Sequence, residues 1–248
     1  MQVDVKLAVK TGDAGGVGGP AIAVQVFGTQ LGDGARAVDA ATGGLISRAL
    51  ESGDWKGQPG GVDVLYPETG KKGPDRIVLV GSGDKKKWNA ETARLAAGAL
   101  AACLRGLKVK EATLALDAVA SANKNADTAR GVAEGFLLGI YRYDNYFRDG
   151  RAEKLQLAKL TLLTPRATAA TAFKKGVALG EQVALAVNEA RELVNGPSNH
   201  VTPTHLAQTA TRLGKEHGFK VKVLGEAECR KEHMGGLLAV AQGSHEAC

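Results

Sequence analysis

The sequence predicts a mixed α/β protein: a largely parallel sheet with helices on both faces. Three observations predict it. Short apolar runs alternate with Ala- and Leu-rich stretches of helical period along the first two thirds of the chain. Hydrophobic residues make up 44% but aromatics only 4%, so the core is built from Ala, Val, Leu and Gly, small residues that suit helices lying on a sheet. And 248 residues are enough for one large domain or two smaller ones with a real core.

Val3, Val5 and Leu7 alternate with Asp4 and Lys6, which predicts a first strand. Residues 12–20 are glycine-rich and form a loop. Residues 21–27 (AIAVQVF) are the second strand. Residues 37–51 have helical character, and the glycines of 57–61 end it. Strands follow at 62–66 and 76–80 (RIVLV), then a helix at 89–104, a strand at 112–116 (ATLAL), a helix at 126–143 and a strand at 155–163.

From 168 to 194 nothing interrupts a helix except Gly176 and Gly180, and Phe173, Val177, Val183, Val187, Ala190 and Val194 recur at near-helical spacing. Such a helix would be about 39 Å long, beyond the usual three or four turns. It has the character of a strut between domains. The polar run Asn195-Gly196-Pro197-Ser198-Asn199-His200 follows. Thr202 and Pro203 then start a helix, as N-cap and first-turn proline, which runs to His217 and stops at Gly218. Phe219, Val221 and Val223 alternate with Lys220 and Lys222 and predict a strand. Residues 226–232 predict a short helix, and 237–241, opened by Gly235-Gly236, a further strand. A unit this short is near the floor for a core of its own, so the expectation is a second α/β domain that is incomplete.

Charge excludes little. Lys and Arg number 32 against 26 Asp and Glu, a net of +6. The only dense basic block is Lys85-Lys86-Lys87, so nucleic-acid binding has weak support. Cys103, Cys229 and Cys248 are too few and too scattered for a disulfide framework. The N-terminus lacks an apolar signal core, and no run approaches the ~20 apolar residues of a membrane span. The expectation is a soluble cytoplasmic protein without membrane contact.

Four soft ligands lie near the end, in the order Cys229, His233, His245 and Cys248. The order is wrong for a zinc finger, and the intervening MGGLLAVAQGS is apolar; a short surface helix and a tail explain them better. Gly81-Ser82-Gly83 follows the strand RIVLV, the place of a phosphate loop, with Lys85–Lys87 beyond it. The third glycine of a dinucleotide fingerprint is replaced by Lys86, however, and no Walker pattern occurs. A plain strand-to-helix turn is the simpler reading. His200 and His205 do not make H-E-x-x-H, and His217 suits the end of a helix dipole. Asp144 among Tyr141, Tyr143 and Tyr146 suggests aromatic packing at a helix end. No G-x-S-x-G elbow is present. The residues alone give no complete catalytic set.

The stretch Arg191-Glu192-Leu193-Val194-Asn195-Gly196-Pro197-Ser198-Asn199, with Thr202-Pro203 and Leu206-Ala207 after it, resembles a junction of the cytosol (leucyl) aminopeptidase family, R-x-L-x-N-x-P-x-N-x-x-T-P-x-x-L-A. Met234-Gly235-Gly236-Leu237-Leu238-Ala239-Val240 with Gly243-Ser244 is similar to the family's next motif. Looser echoes lie in the strand and turn of 76–83 and in GFLLGIYRY at 135–143.

The resemblance implies a macro-domain-like N-terminal domain (1–166), a linker helix (167–194) and the beginning of a peptidase domain (195–248). It also implies assembly into a homo-hexamer, peptide substrates, and two divalent metal ions such as manganese or zinc. In the family a metal-activated water attacks the scissile carbonyl, and an arginine-held bicarbonate acts as base. The family's ligand segments, V-G-K-G-h-x-F-D-[ST]-G-G and N-T-D-A-E-G-R, do not occur in this sequence. No residue here is therefore assigned a catalytic, cofactor-binding or metal-binding role. The expectation is the front portion of a two-metal leucyl aminopeptidase, binding no metal and inactive alone. The alternative is a stand-alone macro-like module for a nucleotide-like or nucleic-acid ligand.

Overall fold

All six residues of the strand IAVQVF are buried, and the sheet is built around them. A computed structural model of the chain describes residues 5–68, 73–119, 121–148 and 155–244. The chain divides into two compact units, Met1–Asn188 and Glu189–Cys248.

In the first unit the strands are β1 Lys6–Thr11, β2 Ile22–Phe27, β3 Gln30–Leu31, β4 Val62–Leu65, β5 Ile77–Gly81, β6 Glu111–Ala115 and β7 Lys159–Thr164. The helices are α1 Asp33–Ala41, α2 Leu45–Glu51, α3 Ala90–Gly106, α4 Ala122–Ile140 and α5 Ala167–Asn195, whose last residues belong to the second unit. The strand order is β1-β7-β6-β2-β5-β4, with β3 paired to β2. Pairing is parallel except for β4 against β5 and β3 against β2. The central strands have apolar side chains on both faces, as a parallel sheet covered twice requires. Ile22, Val24, Ile77 and Leu79 face α1 and α2. Ala23, Val78, Leu114 and Leu162 face α3, α4 and α5.

Glycines bring the last three helices together. A Cβ at Gly131 would lie 2.2 Å from the Ala90 carbonyl, and one at Gly135 2.0 Å from that of Arg94. Gly176 of α5 meets the Ala126 carbonyl in the same way, at 2.0 Å. The two glycines that alone interrupt the long helical pattern therefore lie where α5 touches α4. Glu134, buried beside Gly135, accepts from Arg94 Nε at 2.8 Å and ties the same pair of helices.

Acidic side chains sit on both sheet edges. Val64 N–H of β4 donates to Asp63 Oδ1 at 2.8 Å, and the Glu181 carboxylate of α5 lies beside the backbone of Leu7 in β1. Charged groups at these edges discourage pairing with another sheet.

The strands and most helices lie where the sequence places them, with local differences. The expected helix at 37–51 is two helices and starts at Asp33, because Gly43 and Gly44 take left-handed φ values of 66° and 78° between them. The short β3 was not anticipated. The alternation of the first strand includes Val3, which lies outside the described residues.

In the second unit α6 Pro203–His217 has Thr202 as N-cap, accepting from His205 N–H, and Gly218 at φ 75° as its end. Then come α7 Glu226–Lys231 and α8 Gly235–Ala241. Both strands expected here are corrected. Residues 237–241 form α8. Leu and Ala are good helix formers, and with no partner strand among the described residues of this unit, helical hydrogen bonds satisfy the backbone. Phe219, Val221 and Val223 alternate but pair with no strand among the described residues. Their segment folds back instead on the end of α6, where a Cβ on Gly214 would meet Val221 Cγ2 at 2.7 Å.

Candidate functional site

The chain leaves β2 toward α1 on one face of the sheet and leaves β5 and β6 toward α3 and α4 on the other. Such a divergence opens a crevice at the carboxyl ends of the strands, where open α/β sheets take ligands. Three buried polar residues meet there. Gln25, the one polar residue of β2, uses its whole amide: Oε1 accepts from Asp117 N–H at 2.7 Å, and Nε2 donates to Ser82 Oγ at 3.3 Å. Asp117, just past β6, accepts from the N–H groups of Asp33 at 2.8 Å and Gly34 at 3.2 Å.

The carboxylate of Asp117 thus occupies the start of α1, the place where a helix dipole would hold a phosphate. The fit is close. A Cβ on Gly32 would lie 2.5 Å from Asp117 Oδ2, and one on Gly34 2.5 Å from Ala115 Cβ. Burial pushes the Asp117 carboxyl up. The two backbone bonds and Lys85 act against that, while Asp33 adds to it; the outcome is a raised pKa.

The Gly81-Ser82-Gly83 turn is where a phosphate loop would lie, but its amides are spent. Gly81 N–H donates to Gly61 O at 2.8 Å, Ser82 N–H to Val26 O at 2.8 Å, and Gly83 N–H to Gly57 O at 3.1 Å. The glycines make room for the 57–61 loop: a Cβ on Gly81 would fall 2.2 Å from Gln58 O. The phosphate-loop reading gives way to a packed turn. Beyond it, Lys85–Lys87 form a 3-10 turn whose N-cap Asp84 accepts from Lys86 N–H at 2.8 Å. Lys85 Nζ lies 5.4 Å from the ring centre of Phe27. Lys56, Lys85 and Lys86 rim an open groove of about 660 Å³. Its cations are exposed, and among the described residues the buried polar groups beneath it already bond to one another.

The other sequence candidates separate. His200 and His205 come together, with ring centres 5.3 Å apart. Cys229 is buried, its thiol 3.9 Å from Leu224 O, and His233 takes a left-handed φ of 56°. Their supposed partners His245 and Cys248 lie outside the described residues. His217 closes α6 as expected. Tyr143 packs on Tyr146 at 6.1 Å over a turn begun by buried Asp144, matching the aromatic cluster foreseen at a helix end. Among the described residues no three His, Cys, Asp or Glu side chains gather as a metal-ligand set, so the residues described do not fit a metal centre. Gln25 and Asp117 were missed. The available signal was a glutamine in the middle of an otherwise apolar central strand.

Comparison with known proteins is specific. The profile of the cytosol aminopeptidase family, N-terminal domain, matches residues 23–149, and that of the same family's catalytic domain matches 188–248. A cytosol aminopeptidase of Pseudomonas aeruginosa is 39% identical over 221 residues, 88% of this chain and 44% of the relative. A probable cytosol aminopeptidase of Halorhodospira halophila is 32% identical over 243 residues, 97% of this chain and 48% of the relative. The chain thus spans about half the length of the curated relatives it matches. Among solved structures, the bottromycin maturation enzyme BotP aligns over 92% of this chain and 44% of its own, with a TM-score of 0.68 and 27% identity. A variant of tomato leucine aminopeptidase aligns over 93% and 47%, with a TM-score of 0.76 and 24% identity, a likeness of fold.

Proposed function

Because the chain belongs to the cytosol aminopeptidase family, we propose that it supplies the N-terminal domain (1–166), the linker helix (167–194) and the opening of the catalytic domain (195–248) of a metal-dependent aminopeptidase. The observation that carries this reading is the match of the family's two domain profiles, in order, along one chain. The substrates are peptides, from which the enzyme removes the N-terminal residue.

The metals, when bound, polarise the scissile carbonyl and activate the attacking water. Two divalent ions are proposed, and manganese is supported by a structural relative described as BotP in complex with Mn. No step is assigned to the residues of this chain. They lack the family's V-G-K-G and N-T-D-A-E-G-R segments, and the described ones gather no ligand set. A cytosolic setting and a homo-hexameric assembly complete the proposal. No helix among the described residues is long and apolar enough to cross a membrane.

Hydrolysis of leucine p-nitroanilide tests it. The purified 248-residue chain is expected to stay at the level of a mock preparation with or without manganese; turnover well above that level overturns the assignment of the chemistry to other residues. Reading the coding DNA past the codon for Cys248 tests the family role. A frame that continues into V-G-K-G and N-T-D-A-E-G-R supports the peptidase. A stop with no such sequence behind it removes the catalytic reading.

A further inference from the structure

Two histidines of the second unit meet where the chain turns from α5 into α6. His200 ends the polar run after α5, and His205 stands in the first turn of α6. Their ring centres lie 5.3 Å apart, with the planes tilted by 40°. Local bonds hold both backbones. Pro197 O accepts from His200 N–H and from Val201 N–H, each at 2.9 Å. Thr202 Oγ1 accepts from His205 N–H at 3.3 Å, and Pro203 fixes the start of the helix. Gly196 packs against the same turn, where a Cβ would lie 2.3 Å from Val201 Cγ2. The backbones that carry the two rings are therefore set without a ligand.

The spacing fits a chelate. Zinc binds an imidazole nitrogen at about 2.0–2.1 Å, and the ring centre lies about 1.1 Å farther out, so two imidazoles on one tetrahedral ion have centres about 5 Å apart. His200 is exposed and His205 half-buried, so an ion reaches both from solvent and keeps water on its remaining positions. Among the described residues no third His, Cys, Asp or Glu completes a larger set. Two imidazoles select by ligand type. Neutral nitrogen donors favour copper, nickel and zinc over manganese and over the hard ions magnesium and calcium. The positive end of α6 acts against a cation beside His205, and with only two protein donors the affinity is moderate.

We propose that His200 and His205 together bind one divalent transition ion of the zinc, nickel and copper class, with water completing its coordination. Bound there, the ion ties the turn that follows α5 to the first turn of α6.

The test is a zinc chloride titration of the untagged full chain, followed by the imidazole signals in NMR, with magnesium chloride as the hard-ion control. The expected result is saturable shifts of the His200 and His205 ring signals together, at one ion per pair, with Kd between about 1 and 100 µM. Magnesium is expected to move neither ring. H200Q and H205Q are each expected to weaken zinc binding at the remaining ring at least about tenfold, because one imidazole makes no chelate. H217Q, at the far end of α6, is expected to leave it unchanged. A ring contact alone would leave zinc without effect. Zinc that leaves both rings unmoved, zinc that moves only one, or equal shifts with zinc and magnesium in the unmodified chain overturns the proposal, whether or not the variants fold.

Discussion

The two units of this chain are made from similar residues and packed by different means. In the first, Leu100, Leu160, Leu162, Phe136 and Phe173 have no measurable exposure, and helices approach until only glycine fits. In the second, the buried residues among those described are Thr209, Gly214 and Cys229, while Val223 is 56% and Val240 82% exposed. Apolar composition is thus not the same as a core. The first unit has a sheet that collects side chains from both faces. The second has, among its described residues, the end of α5 and three further helices, and no sheet.

The sharpest way to break this comparison is to put the same methyl group into a helix of each unit. Gly135→Ala pushes a Cβ to 2.0 Å from a backbone carbonyl that cannot rotate away, so a loss of about 3 kcal/mol or more is expected. At Gly236, in α8, an added Cβ meets nothing within 4 Å. There Gly236→Ala should stabilise the helix by about 0.5–1 kcal/mol. Urea unfolding followed by circular dichroism measures both. Equal effects would mean that the first unit's helices are not locked by contact.

Gln25→Leu comes next. The shape of the strand is kept, but the buried Asp117 N–H loses its acceptor, while the Ser82 hydroxyl loses the Gln25 donor and keeps its bond to Val80 O, at an expected cost of about 1–3 kcal/mol. A shift in the urea midpoint within error would show that the network is dispensable.

The smallest effect concerns pH. Burial raises the Glu181 carboxyl above its ordinary value, with the Leu7 backbone acting against it. A raised acid binds its proton more tightly when folded. Its stabilising contribution is therefore complete below the unfolded value of about 4.3 and is lost as pH rises through the higher folded value. Glu181→Gln should be slightly more stable than the parent at pH 7 and indistinguishable from it near pH 4. A difference that grows on acidification would contradict the assigned sign.

Much of the first unit was legible because parallel strands advertise themselves as short apolar runs and helices by their period. The second unit was legible only where local chemistry decides, as at Thr202-Pro203 and Gly218. The run LLAVA fits a strand and a helix equally by pattern, and the choice belongs to whatever neighbours it has. The Gly81-Ser82-Gly83 turn is the plain strand-to-helix turn of the simpler reading, and its glycines admit a neighbouring loop that no local pattern announces. The network beneath it was hidden because Gln25, Ser82 and Asp117 are far apart in sequence, and nothing local to any one of them names the others.

That separation also has a consequence in time. Asp117 follows Asp33, whose N–H it holds, by 84 residues. At a synthesis rate of about 5–20 residues per second, the start of α1 waits about 4–17 s on the ribosome before its own anion exists. During that interval the residues of α1 have neither this acceptor nor the sixth strand that leads to it, and a nine-residue helix is marginal by itself in water.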